Sequence, residues 1–322
     1  MDKMAMDNSS TTEGFVLLGF GVTAQKQFLL LIFFAILYIL TLVENIIVIL
    51  LVFLDAHLSQ LPMYTLLSNF SWLEICYVTT TVPRMLFDLT ASHRTISFQA
   101  CLLQFYSLFS LGSTEFFFLS AMALDRYLAV CHPLHYLQIM SPKFCYALVS
   151  TCWILGFLGY IVPVTLISRL SFCRPNIINH FLCDPGPVLS LACPPVGNVP
   201  LVCRIIMHAI FVSNVLFVVF SYGKVIFTLI KSSNQGSRKK AFSTISMHLL
   251  VVTLFYGSVG GMYLIPGGEG PTVITKAITV FYATITPFVN PLIYCLRNDQ
   301  VKEAMGRLLR RIMRSMLMKG TV

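Results

Sequence analysis

Apolar residues fall in seven long blocks, at about 28–53, 62–88, 99–131, 143–167, 200–231, 238–265 and 274–297, parted by short polar stretches. Most exceed the roughly 20 residues a helix needs to cross ~30 Å of hydrocarbon, so tilt or extension beyond the lipid follows. Lipid offers backbone groups no hydrogen-bond partner, and the blocks lack the alternation of a barrel, which leaves helix. The expected fold is an all-α membrane protein. A seven-transmembrane helix bundle (residues 28–297) lies between a mixed-polar N-terminus (1–27) and a tail (298–322). The first 14 residues lack an apolar core, so the first block is expected to act as its own insertion signal.

Composition narrows the class. Of 322 residues, 57% are hydrophobic and only 11% charged, against about 25% charged in soluble domains, and the mean hydropathy is +0.80. That excludes a soluble enzyme, a disordered regulator and a nucleic-acid-binding domain. The net charge is +9, and 14 of the 22 basic residues fall on one side of the bundle. They are Arg126, Lys143, Lys224, Lys231, the run Arg238 to Lys240, and seven from Arg297 onward. The positive-inside rule puts that side in the cytosol and the N-terminus outside. A glycosylation sequon, Asn8-Ser9-Ser10, then faces the side where it has meaning. Plasma-membrane, multi-pass localisation is the expectation. Beyond the last block, Val301, Ala304, Met305, Leu308, Leu309 and Ile312 recur at helical spacing among basic residues. This describes a short amphipathic C-terminal helix on anionic lipid; a merely solvated basic tail is the alternative.

Four cysteines, Cys101, Cys173, Cys183 and Cys193, share the outer side, where an oxidising compartment permits disulfides in any of three connectivities. His180 stands three residues before Cys183, a metal-like spacing, but a disulfide would consume the thiol. Cys76, Cys152 and Cys203 read as small core residues. No nucleophile–base pair, phosphate loop or His-Glu-x-x-His motif occurs, so the chain is not read as an enzyme.

The ends of the blocks carry the identifying residues. The third closes on Asp125-Arg126-Tyr127, followed by His132-Pro133-Leu134-His135-Tyr136. The seventh closes on Asn290-Pro291-Leu292-Ile293-Tyr294. The sixth opens with Lys240-Ala241-Phe242-Ser243-Thr244 and continues to His248. The second opens with Pro62-Met63-Tyr64, and the fifth carries Ser221-Tyr222. In this order the strings resemble the olfactory (odorant) receptors, a branch of the rhodopsin-like G-protein-coupled receptors, and specifically the tetrapod-type class.

The resemblance implies a pairing of Cys101 with Cys183 and of Cys173 with Cys193. It implies a small volatile odorant as ligand and a heterotrimeric G protein of the stimulatory, olfactory type as partner, with a rise in cAMP. Arg126 is expected to be held by Asp125 at rest and released as the sixth helix swings out, with Tyr222 and Tyr294 stabilising the open form. Tyr127, His248 and Pro291 belong to the same switch. Several positions depart from the pattern, among them Glu44 for Gly, Glu74 for Asp, Leu124 for Tyr, and Ile245 and Met247 for Cys and Ser. These bear on basal activity or expression rather than on class. A non-olfactory rhodopsin-like receptor for a lipid or peptide, and a small-solute transporter, are the alternatives.

Counting along helices locates a pocket. Leu108 and Gly112 precede Arg126 by 18 and 14 residues and share its face, about 20–27 Å higher. Tyr256, Val259 and Tyr263 form an i, i+3, i+7 face, and Thr279 and Ala283 lie on the face of Asn290. Phe105, Phe109, Ser113, Ile206 and Ile210 complete the lining, with helix–helix packing the competing role for each. Leu108 stands where aminergic receptors carry a carboxylate, and Lys276 lies near the outer end of its span, so amines and retinal are poor ligands. Asn45, Glu74, Glu115 and Asn290 are polar groups within spans. They are expected to face the bundle and hydrogen-bond together, either around a sodium ion or as mutually satisfied polar glue. No other cofactor is expected.

Overall fold

The computed structural model describes residues 14–91, 94–173, 175–231, 235–263 and 272–319. Its helices are α1 (Ala24–Leu54), α2 (Pro62–Thr90), α3 (Phe98–Cys131), α4 (Tyr136–Ile139), α5 (Pro142–Gly159), α6 (Ile161–Ser168), α7 (Pro185–Ser190), α8 (Val199–Lys231), α9 (Gln235–Tyr263), α10 (Thr272–Val280), α11 (Thr286–Arg297) and α12 (Asp299–Lys319). Seven spans emerge: α1, α2, α3, α5 with α6, α8, α9, and α10 with α11. Five of them are long and apolar enough, by length and composition, to cross a membrane. The other two are diluted by polar residues. α2 carries Asn69, Glu74, Arg84 and Asp88, and α9 is apolar only over Ile245–Gly261.

α3 is the hub, packing on α2, α5, α8 and α9. Over its most apolar 18-residue stretch 67% is buried, against 17% in α8, whose remaining apolar surface is left for lipid. Glycine makes one of these contacts close. A Cβ built on Gly156 of α5 would stand 2.0 Å from Thr114 Oγ1 and 2.8 Å from Thr114 N, so only glycine lets the two helices approach this far.

Prolines shape the fourth and seventh spans. The expected single fourth helix is broken at Tyr160, because Pro163 clashes with the carbonyl four residues back, that of Gly159. The seventh changes to a π turn over Phe281–Ile285. Pro287 and Pro291 donate no N–H, which frees the carbonyls of Ala283 and Pro287. Neighbouring helices supply the replacements: Thr81 Oγ1 donates to Ala283 O at 3.5 Å and Asn45 Nδ2 to Pro287 O at 3.4 Å. The seventh span is thereby stitched to α1 and α2.

At the far end from Arg126, β1 (Gly14–Leu17) lies between β2 (Thr95–Ser97), antiparallel, and β3 (Ile177–Ile178), parallel. This strand arises within the segment expected to be only mixed polar. Its alternation buries Phe15 and Leu17, and Phe15 packs edge-on against Phe172 at 5.3 Å. Two disulfides, Cys101–Cys183 and Cys173–Cys193, fix the loop before α8, which removes the thiol from any His180–Cys183 metal pair. Cys152 and Cys203 are buried and Cys76 is half-buried.

Candidate functional site

Two clusters share α3 and α9. The upper one is a cavity of about 40 Å³ lined by Tyr77, Leu108, Phe109, Gly112, Ser113, Phe116, Tyr160, Met207, Phe255, Val259 and Tyr282. An engineered apolar cavity that takes up benzene measures about 150 Å³, so a small ligand must push these walls apart. Five of the residues reached by counting line it: Leu108, Phe109, Gly112, Ser113 and Val259.

The others are placed differently. Phe105 lies above, its ring 5.1 Å from Phe109 and 6.2 Å from Tyr160. Tyr256 is outside the lining and packs on one of its residues, its hydroxyl donating to Phe116 O at 3.4 Å and its ring 5.0 Å from that of Phe116. Ile210 covers Gly159, Ile206 is half-buried outside the lining, and Ala283 is buried against α2 through its carbonyl. Thr279 meets His180 at 3.4 Å. The Tyr263 side chain and Asn8 lie outside the described residues. Counting missed Tyr77, Phe116, Tyr160, Met207, Phe255 and Tyr282. The break at Tyr160 and the π turn at Tyr282 re-aim two of these, and neither irregularity shows in a helical count.

The lower cluster is built on Asp125 and Arg126. Arg126 Nε donates to Asp125 Oδ2 at 2.9 Å, and its terminal nitrogen holds the same oxygen. Tyr136 of α4 donates to Asp125 Oδ1 at 2.7 Å, so both oxygens of a fully buried carboxylate are occupied. Tyr222 and His248 hydrogen-bond to each other, tying α8 to α9. Tyr294 is fully buried and reaches Met122 Sδ at 4.0 Å. Tyr127 pairs with His132 at 3.2 Å and does not join Asp125. Pro291 is buried in α11.

Between the clusters, Asn290 Nδ2 donates to Glu74 Oε1 at 2.5 Å. The expected four-residue network is only partly formed, because Asn45 spends its amide on Thr41 O and Pro287 O. Four buried oxygens accept no hydrogen bond: Asn45 Oδ1, Glu74 Oε2, Glu115 Oε1 and Asn290 Oδ1.

A clasp joins α12 to the bundle. Arg307 grips Asp55 Oδ2 through Nε at 2.9 Å and a terminal nitrogen at 2.8 Å, and Tyr64 donates to Gln300 Oε1 at 2.8 Å. Burial raises the Asp55 carboxyl, but Arg307 and the N–H groups of Leu58 and His57 outweigh it and leave it below the usual range.

The sequence that builds this bundle matches the family model of the olfactory receptors over residues 34–312. The chain belongs to the olfactory receptor family. Human olfactory receptor 11H6 is 49% identical over 92% of this chain and 89% of its own length. Human olfactory receptor 11G2 is 47% identical over 93% and 87%, and human olfactory receptor 11H4 is 44% identical over 96% of each. The protein is accordingly a multi-pass G-protein-coupled receptor and not an enzyme.

Proposed function

We propose that this receptor admits small, volatile, mostly apolar odorants to the Leu108–Val259–Tyr282 cavity and activates a stimulatory, olfactory-type G protein, raising cAMP. One observation carries the reading: the cavity wall and the switch are the same two helices. Phe255 lines the cavity and His248, bound to Tyr222, lies seven residues along α9, two turns or about 10 Å away. A ligand that widens the cavity tilts α9, strains the Tyr222–His248 tie and favours the state in which Arg126 leaves Asp125. Ligands act only through such a difference in affinity between two states.

Burying about 200–300 Å² of ligand at roughly 25 cal/mol per Å² gives on the order of 5–7 kcal/mol before association costs. Micromolar or weaker affinity and broad tuning follow. The family resemblance and the basic residues together favour a plasma-membrane receptor with its N-terminus outside. Exposed Leu309 and Met313 beside Arg310 and Arg311 on α12 suit contact with an anionic inner leaflet.

The unbonded oxygens of Asn45, Glu74, Glu115 and Asn290 fit a hard monovalent cation. Among the described residues no three His, Cys, Asp or Glu gather as a metal group, which favours sodium over a transition metal. When bound, sodium supplies the positive charge that a buried carboxylate lacks, and Glu74 and Asn290 hold α2 against α11.

A cAMP reporter with a panel of odorants tests the function. A Cβ on Gly112 meets Tyr77 at an ordinary 3.6 Å, so Gly112→Leu fits its helix and fills the cavity. Odorants active on the natural receptor lose potency on this variant while surface expression persists. Unchanged responses to every agonist would refute the site.

A further inference from the structure

Lys276 of α10 plays no part in the switch or the cavity lining. Among the described residues it is the one buried lysine, and none of their ion pairs includes it. Its ammonium donates to Asn179 Oδ1 at 2.9 Å. An ammonium has three N–H donors and a full charge, and one neutral amide oxygen meets little of that demand. Burial of a cation without a counter-charge is unfavourable unless a partner arrives to pair with it.

A second donor stands beside it. The Nδ1 of His180 accepts the Leu182 N–H at 3.1 Å, so the neutral ring carries its proton on Nε2. Among the described residues that nitrogen meets Thr279 Oγ1 at a long 3.4 Å, and Thr279 Oγ1 also donates to Thr275 O at 2.9 Å. Burial first, and the nearby Lys276 second, push the His180 imidazole down to about 4. The pair therefore presents one positive charge and one neutral donor.

The cluster stands further along the span that supplies Tyr282 to the cavity. Tyr282, which lines it, lies six residues beyond Lys276, about 9 Å along the helix, and buried Thr279 lies between them. On the opposite wall, Cys183 N donates to Gln104 Oε1 at 3.0 Å, one turn from Leu108 of the lining. The loop that carries Asn179 and His180 is thus pinned to α3 one turn from the lining.

We propose that Lys276, with His180 Nε2–H beside it, binds the carboxylate of short- to medium-chain organic acids whose hydrocarbon tails reach down to Tyr282, Val259 and Phe255. The proposal rests on the odorant reading above and names the ligand class of that site. A carboxylate brings the opposite charge as well as the acceptor, whereas an ester or alcohol of the same chain brings an acceptor alone and leaves the ammonium without a counter-charge.

The experiment compares a series of straight and branched aliphatic acids with their methyl esters and alcohols in the cAMP reporter, on the natural receptor and on Lys276→Gln and Lys276→Arg. Acids are expected to act at lower concentration than their esters. Lys276→Gln raises the EC50 for acids by about tenfold or more, the loss of one charge-assisted bond, and leaves that for esters unchanged. Lys276→Arg keeps the acid response. If acids and esters shift together in Lys276→Gln, the lysine is structural and the proposal fails. It fails too if the natural receptor answers neutral odorants but no acid. Silence towards every odorant, acid or neutral, from a receptor at the cell surface overturns the odorant reading, and this proposal with it.

Discussion

Tyr136 donates its hydroxyl to Asp125 Oδ1 at 2.7 Å while Arg126 occupies the other carboxylate oxygen. The aspartate that holds Arg126 is therefore itself held, by a residue on the short helix α4 rather than on a span. Burial and the Asp125 charge both raise the Tyr136 phenol above its usual range, so it remains a donor at any physiological pH.

Removing that hydroxyl loosens this hold. A hydrogen bond to a charged group contributes about 1.5–3 kcal/mol, and part of it is specific to the resting state. Tyr136→Phe is expected to raise basal cAMP several-fold at equal surface expression. Basal signalling equal to that of the natural receptor would show that the hydroxyl does not bias the switch.

Gly156 tests the packing of the hub. An added methyl collides with Thr114 backbone as well as its hydroxyl, so neither a rotamer change nor a small side-chain shift relieves it. Overpacking of this kind costs about 1–3 kcal/mol. Gly156→Ala should lower the melting temperature of the purified receptor and its surface level, and Thr114→Ala should not rescue it fully. A melting temperature equal to the parent's would show that α3 and α5 are further apart than described.

The packing around His180 should weaken in acid. The folded-state value of His180, about 4 against an ordinary 6.5, means that the unfolded chain takes up a proton the folded chain refuses. Stability is full above about pH 6.5 and declines as the pH falls toward 4, by up to ~3 kcal/mol. Thermal unfolding followed across that range should show the decline, and His180→Gln should flatten it. An identical pH profile in the variant would assign the loss to other groups.

Glu74 tests the cation. If sodium sits among Asn45, Glu74, Glu115 and Asn290, replacing external sodium with choline changes agonist potency, and Glu74→Gln abolishes that sensitivity. The amide keeps an oxygen for Asn290 Nδ2, so the Asn290–Glu74 bond survives in altered form. Sodium-independent potency in the natural receptor would leave these residues as polar glue.

The helices, and the pairing of residues at their ends, were legible because their determinants are local. Hydropathy blocks set the spans, and Asp125, Arg126, Tyr222 and His248 sit in strings that mark span ends. The cavity was legible at Leu108, Phe109, Gly112, Ser113 and Val259, while on the same helices Phe105, Phe116, Phe255 and Tyr256 show that counting gives a face and not which of its residues reach the space. Counting failed at Tyr160 and Tyr282, since the clash from Pro163 and the π turn before Pro287 rotate side chains off their ideal faces. Strand β1 went unread because three or four residues pair with partners some 80 and 160 positions away, and no local pattern encodes that. The role of Tyr136 was hidden for a related reason: it stands inside a diagnostic string but acts across a turn on Asp125.

The central claim is that filling the cavity moves α9 away from α3 at the Arg126 end. Spin labels on α3 near Leu128 and on α9 near Ser246, in purified receptor, give that distance by double electron–electron resonance. With an agonist that raises cAMP, the account predicts a longer distance than in its absence. An unchanged distribution with the same agonist bound would contradict it.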